Sequence, residues 1–486
     1  WMMAVGMRIF GENEFAVRLP AIVGMLASLV WTGAIARHMF DARTGRWAMS
    51  MLATSLMAVY LGAAAMLETV LLATVTMAFW AWLGLRDGRP ARVQTAWLTA
   101  ALAASMLTKG PVGPVVFGSA VLATWAFGPQ SQRPGWREVR ALASAGLLAM
   151  AVFLAWAVPA NSLSGGMILS DGFWVHIVGR AVAPMQGHGG AGLGGYMISL
   201  PVYVPVVILG LMPWTVDLPQ AWTALTKGQL ATGHHRMFLI TWPATTFTLF
   251  TFAATKLPHY IFPLFPAAAI VLAAFHVGRT GADVSVGPKG WGIGDIVYAV
   301  VLAGTVLGLL ILTWLLAAPG AAVLALVLAA TTIAFLTLRH VGRPRLAHRL
   351  AVAAIPPCFL LAYWCVAPAV EAITKTAGAV ARSIEDAGHG GLPVFADDTL
   401  EPSLVFELRR APNDPVRALP PFGEAAAAVL SQHTDAILVV ATPLYDEIAR
   451  VVPQGSLQIL SRHMAFNINK AGREGETVIA RFTASK

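Results

Sequence analysis

Two cysteines, Cys358 and Cys365, are all that the 486 residues contain. They lie seven apart on one apolar run, about 10 Å along a helix axis, which is too far for a disulfide. No CxxC pair and no local His/Cys cluster occurs, so the sequence carries no signal for a structural zinc site. Charge is also scarce. Only 12% of residues are Asp, Glu, Lys or Arg, against roughly 25% in soluble proteins, while 57% are hydrophobic and the mean hydropathy is +0.68. That excludes an ordinary soluble globule. The net charge of +9 comes from short basic clusters between apolar runs, with no basic helix or aromatic RNA-binding motif, which argues against a nucleic-acid partner.

What the chain does have is long apolar runs. Twelve are expected to span a membrane, near 19–36, 47–65, 67–85, 94–108, 112–127, 141–159, 197–214, 237–254, 260–277, 294–316, 320–338 and 350–367. The stretch 47–85 is far longer than the roughly 20 residues one crossing needs, so it reads as a hairpin of two. Residues 1–12 are too short to span and fit an interfacial helix. The chain starts at Trp1, follows with no signal peptide, and reads as truncated at its N-terminus.

Alternate loops carry nearly all the short-loop arginines and lysines, such as Arg86, Arg89 and Arg92, or Arg339, Arg343, Arg345 and Arg349. The opposite loops carry Lys109, Arg180 and Lys256. By the positive-inside rule the first set is cytoplasmic, which places Glu68, Lys109, His176, Arg180, His188, Lys256, His259 and Tyr260 together on the outer face. Beyond residue 368 charge becomes frequent. We expect residues 1–368 to form the membrane domain and 369–486 a small extracytoplasmic α/β domain. That domain should have helices at 369–387, 422–432 and 443–451 and strands at 392–396, 436–441, 456–460 and 477–482.

The chemistry concentrates in a few stretches. Lys256-Leu257-Pro258-His259-Tyr260 lies between two apolar runs, and Pro258, Pro263 and Pro266 must break or kink the backbone there. An ammonium, an imidazole and a phenol at such a break suit an anionic phosphate headgroup. A snorkelling lysine beside an aromatic belt accounts for the same residues. The loop 161–196 contains His176 and Arg180 four apart on one helix face, where an arginine would fork onto phosphate and a histidine would move a proton. Its glycine-rich half, 187–195, should be mobile. Lys109, at the Lys109-Gly110-Pro111 turn, either complements an anion or snorkels. Glu68 is a carboxylate at the edge of hydrocarbon, hence a functional residue by default and a candidate catalytic group; Arg18 at the outer end of the first span is counted with the candidate phosphate-binding residues, and is the expected partner of Glu68 if that pair is structural. No cofactor is required by these residues, and a divalent metal remains compatible with them.

Five stretches in order carry a resemblance: Phe10 to Pro20, Thr108-Lys109-Gly110-Pro111, Phe173-Trp174 to Arg180, Pro213-Trp214, and Lys256 to Tyr260 with Pro263 and Pro266. Together they resemble the bacterial GT-C membrane glycosyltransferases, the family of protein O-mannosyltransferases and lipid A aminoarabinose transferases. The resemblance implies a polyprenyl-phosphate-sugar donor, a lipid, glycan or protein acceptor, inversion at the sugar carbon, and chemistry on the outer face of a bacterial inner membrane. It implies that Lys256, Tyr260 and Arg180 hold the leaving phosphate. The family has a further first span followed by a loop whose aspartate is its proposed base, which places that residue upstream of Trp1. It also tends to have an aspartate near the top of the fourth span, where this chain offers Glu68. A flippase for the same lipid is the alternative, although flippases need polar groups at mid-membrane and on both faces.

Overall fold

The computed structural model describes residues 2–130, 133–179, 182, 192–281, 292–374, 377–397, 402–408, 416–467 and 473–484. It divides into two compact units, Trp1–Leu310 with Leu324–Phe359, and Ile311–Val323 with Leu360–Lys486.

The first unit is helical. A short α1 (Met2–Phe10) precedes α2 (Glu14–Met39), whose first turn is capped by Asn13, its Oδ1 accepting from the Ala16 amide at 2.9 Å. Then follow α3 (Ala42–Ala53), α4 (Leu56–Ala63), α5 (Glu68–Arg86), α6 (Ala91–Lys109), α7 (Val112–Phe127) and α8 (Trp136–Leu163). After a π-helical stretch, Ile168–Gly179, come α9 (Gly192–Ser199), α10 (Tyr203–Gly210), α11 (Leu218–Thr226) and α12 (Gly233–Phe252). A 3-10 segment, Pro258–Leu264, leads into α13 (Phe265–Gly281). Helices α14 (Ile293–Leu316), α15 (Pro319–His340) and α16 (Pro344–Leu361) follow, with the end of α14, the start of α15 and the last two residues of α16 belonging to the second unit.

Every expected apolar run falls on helix, but among the described residues seven helices are long and apolar enough to cross a membrane, or eight if the bent pair Gly194–Gly210 and Trp214–Thr226 is one span. The difference has local causes. The run at 47–65 is broken at Thr54 and Ser55 into α3 and α4, and α7 has only 16 residues. Helices α6 and α12 have the length but dilute it with Thr, Gln, His and Arg. The chain is an integral membrane protein by the length and apolarity of these helices.

The burial pattern sorts the helices. Helix α5 is apolar all round and 83% of its spanning window is buried, with Phe79 and Trp82 fully enclosed, so it is the central post. Helix α2 lies against it closely enough that a Cβ on Gly24 would stand 2.6 Å from the Val70 amide nitrogen. In contrast, only 6% of the α14 window is buried, and its outward Leu307, Leu310 and Trp314 suit acyl chains rather than water.

The C-terminal region forms one five-stranded sheet of order β2-β1-β3-β5-β4, from β1 (Val394–Ala396), β2 (Arg417–Ala418), β3 (Asp435–Ala441), β4 (Leu457–Asn467) and β5 (Arg473–Thr483). Strand β1 pairs parallel with β2 and β3, while β5 runs antiparallel to β3 and β4. The apolar run Ala436–Val440 forms the buried middle of β3, which explains why it reads as a strand without alternation. Helices α17 (Ala367–Thr374), α18 (Ala377–Asp386), α20 (Gly423–Leu430) and α21 (Thr442–Val451) match the expected helical stretches. The six-residue α19 (Pro402–Glu407) and the strand β2 were not foreseen, and β4 and β5 form a hairpin longer than expected.

Candidate functional site

Three elements of the first unit converge at the N-terminal end of α5. Glu68 is the first residue of that helix, Lys109 the last of α6, and His259 and Tyr260 belong to the 3-10 break. Lys109 Nζ donates to Glu68 Oε1 at 2.6 Å, and His259 Nε2 lies 3.2 Å from the same oxygen. Lys109 Nζ also stands 5.0 Å from the Tyr260 ring centroid, a cation–π distance, and the His259 and Tyr260 rings are 5.0 Å apart. The Glu68 side chain is only 9% exposed, so its charge requires such partners. The helix end supports it further, because the N-terminus of α5 presents the positive end of the backbone dipole.

The break that places His259 and Tyr260 follows from its prolines. Pro258 and Pro263 withdraw two amide donors, the segment tightens to 3-10 geometry, and the Pro263 carbonyl accepts from the buried indole Nε1 of Trp242 at 2.8 Å. Just before the break, Lys256 is buried at 6% exposure; its Nζ donates to the Ala253 carbonyl at 2.8 Å and lies 4.3 Å from the Tyr196 ring centroid. Burial pushes this ammonium below the ordinary lysine value. Among the described residues Lys256 has no carboxylate within ion-pair distance. A buried cation held by a carbonyl and a ring is suited to accept an anion.

The turn after Lys109 is fixed by Gly110, whose φ of +59° favours glycine and whose missing side chain leaves room for Ile177, with Cδ1 2.7 Å from where a Cβ would sit. The π-helical stretch carrying His176 is thereby brought against the Lys109 turn. The His176 side chain, Arg180 and most of the glycine-rich half at 187–195, with His188, lie outside the described residues.

One expectation is corrected. Arg18 does not pair with Glu68; it pairs with Glu14 at 2.8 Å, one turn away on α2. The i,i+4 spacing satisfies it locally, while the end of α6 delivers Lys109 to Glu68 across 41 residues. The Lys109 ammonium is thus committed to a carboxylate.

Sequence reasoning missed three other polar clusters. Asp217 receives Arg339 Nη1 at 2.9 Å and lies 2.7 Å from His348 Nε2, and Asp295 receives Arg339 Nε at 2.9 Å. Glu138 Oε1 accepts from Trp82, Trp125 and Arg86 at 2.7, 3.0 and 3.2 Å. Asp87 is surrounded by His38, His234 and His235. The signal available was the carboxylate itself, since each stands beside or within an apolar helix where charge is costly. A cavity of about 440 Å³ is lined by Arg43, Arg46 and Trp47 of α3, His276 of α13, and Arg345 and Arg349 of α16.

Comparison with known proteins agrees with this architecture. Residues 1–158 match the family described as dolichyl-phosphate-mannose-protein mannosyltransferase. An undecaprenyl phosphate-alpha-4-amino-4-deoxy-L-arabinose arabinosyl transferase of Edwardsiella ictaluri is 27% identical over 288 residues, 58% of this chain and 50% of that protein. A Sodalis glossinidius protein of the same description is 29% identical over 295 residues, 58% of this chain and 49% of its own. The matches span about half the length of these relatives. In structure, the chain superposes on ArnT from Cupriavidus metallidurans bound to undecaprenyl phosphate with a TM-score of 0.73, covering all of this chain and 87% of that one at 21% identity. The apo state of the same protein gives 0.75, covering 99% and 86% at 19% identity. The chain therefore has the GT-C fold and is similar in sequence and architecture to the membrane glycosyltransferases of the protein mannosyltransferase and aminoarabinose transferase type.

Proposed function

We propose that the chain is a membrane glycosyltransferase that takes a sugar from an undecaprenyl-phosphate donor and passes it, with inversion, to a lipid, glycan or protein acceptor on the outer face of a bacterial inner membrane. The observation that carries this is Lys256, a buried ammonium beside a proline-broken backbone, held by a carbonyl and an aromatic face. The relatives' names supply the donor chemistry.

In the reaction the bond between the sugar carbon and the phosphate oxygen breaks while an acceptor oxygen attacks the opposite face of that carbon. Negative charge grows on the leaving phosphate. Lys256 would exchange its bond to the Ala253 carbonyl for a phosphate oxygen, Tyr260 would donate its hydroxyl, and Arg180 would complete the clamp on the resemblance of its stretch. Lys109 and His259 hold Glu68 in place through Oε1, and His176 stands on the stretch packed against the Lys109 turn. Alongside the aspartate that the resemblance gives as the family's proposed base, the other oxygen of Glu68, Oε2, would be a second place for the acceptor's proton.

Lys256→Ala should lower turnover about 100-fold, corresponding to roughly 3 kcal/mol of lost oxyanion stabilisation, while insertion and expression persist. Mass spectrometry of lipids and surface glycans from cells carrying each variant provides the readout. Near wild-type transfer in Lys256→Ala would remove the phosphate clamp from this position. Glu68→Gln should abolish transfer while donor binding survives. Orientation is tested separately on a chain with both native cysteines replaced: Gly455→Cys should react with an impermeant thiol reagent on intact cells and Arg343→Cys should not. The reverse pattern would put the chemistry on the cytoplasmic face.

A further inference from the structure

At the far end of α5 from Glu68 a second cluster is built around Asp87, the residue following the helix. Three histidines from two other segments reach it. His38 comes from the last turn of α2, and His234 and His235 from the first turn of α12. His234 Nε2 lies 3.1 Å from Asp87 Oδ1, and His235 Nε2 and His38 Nε2 lie 3.4 and 2.5 Å from Asp87 Oδ2. One ligand atom from each of Asp87, His234 and His235 falls within 4.8 Å of the other two. Their side chains are between 22% and 24% exposed, shielded but reachable from water.

The fourth member has a different role. Arg89 Nη2 donates to His38 Nδ1 at 2.9 Å, and a guanidinium can only donate, so Nδ1 is the acceptor. In that tautomer the His38 proton sits on Nε2 and points at Asp87 Oδ2. His38 is therefore placed to orient the carboxylate, as an outer partner does for a metal-ligating group.

We propose that Asp87, His234 and His235 bind one divalent transition-metal ion, zinc in the first instance, with His38 and Arg89 orienting the carboxylate. Imidazole and carboxylate ligands suit zinc, and bonds of roughly 2.0–2.2 Å to four tetrahedral ligands set the ligand atoms roughly 3.3 Å apart. His234 lies 3.1 Å from Asp87 Oδ1 and His235 3.4 Å from Oδ2, distances of that order on the two oxygens, so side-chain rotations that bring one oxygen toward both imidazoles admit the ion. Three protein ligands leave a fourth position for water. The ion would tie the start of α12 to the turn between α5 and α6, 147 residues apart in sequence. One further observation favours an ion. The carboxylate follows the C-terminus of α5, where the helix dipole opposes negative charge, and a cation offsets that field.

The test uses the full chain purified in detergent, stripped with a chelator and titrated with zinc against a chromophoric competitor. One zinc per chain should bind and raise the melting temperature, and cobalt in its place should give the absorption bands of a four-coordinate ion. His234→Ala and His235→Ala should each weaken binding by about 100-fold or more, and His38→Gln by roughly 10- to 100-fold at unchanged stoichiometry. Glu68→Gln should leave zinc binding intact, since it lies at the other end of the helix. Absence of saturable zinc binding, or binding that survives His234→Ala and His235→Ala but disappears in Glu68→Gln, would overturn the proposal. If the histidine variants do not fold, the cobalt spectrum of the unaltered chain decides alone, and an octahedral, water-like spectrum counts against the site.

Discussion

The two ends of α5 treat a carboxylate in opposite ways. Its 19 residues put Glu68 and Asp87 about 28 Å apart, roughly a membrane thickness. Glu68 opens the helix, where the backbone dipole favours an anion, and its pairs with Lys109 and His259 both fall on one oxygen. Asp87 follows the helix, where the dipole opposes it, and three imidazoles gather around both of its oxygens. The unfavourable end of the helix attracts the larger set of partners. A carboxylate's position relative to a helix terminus is thus as informative about its surroundings as its burial.

The largest effect that would sharpen this contrast is expected at Glu68. Lys109→Met removes the ammonium from a mostly buried pair and should cost about 3 kcal/mol of stability, read as a fall in the unfolding midpoint in detergent. Lys109→Met combined with Glu68→Leu should recover most of that loss, because no charge is then left uncompensated. If the double variant is as unstable as the single one, the pair is not what holds the ends of α5 and α6 together.

A smaller effect is expected where the same chemistry sits in water. Asp435 on β3 is bonded by Arg481 on β5 through two contacts, Nε to Oδ1 at 2.9 Å and Nη2 to Oδ2. Hydrogen bonding to Arg481 holds the Asp435 carboxyl below its ordinary value. A depressed carboxylate stabilises the fold above its unfolded value near 4, and the contribution disappears as pH falls through the lower folded value. Asp435→Asn should therefore cost about 0.5–1 kcal/mol at neutral pH and flatten the acid limb of the stability curve. An unchanged acid limb would show that the pair contributes nothing measurable.

The apolar runs were legible because the pattern that makes them buried or lipid-facing lies within each segment. The same holds for Ala436–Val440 as a buried strand. Glu68 stood out in the sequence because a carboxylate beside hydrocarbon is expensive, but its partner did not, since Lys109 and His259 reach it only through the packing of α6 and the 3-10 break. Arg18, at the outer end of the first span, is satisfied by Glu14 instead. The Asp87 cluster was invisible for a stricter reason. Its members are separated by 49 and 147 residues or more, so no spacing rule applies, and only the adjacent His234 and His235 form a local pair.

The indole of Trp242 has a consequence for timing. By bonding the Pro263 carbonyl it stiffens the broken backbone that carries His259 and Tyr260, so this corner is set before any ligand arrives. A donor that is already aimed gives up little orientational freedom when an anion reaches it. A backbone interruption that looks like a weak point in a membrane helix is, in this chain, a template: Trp242→Phe should leave the helices in place and slow only the step in which phosphate is seated, detectable as a lower association rate with unchanged insertion.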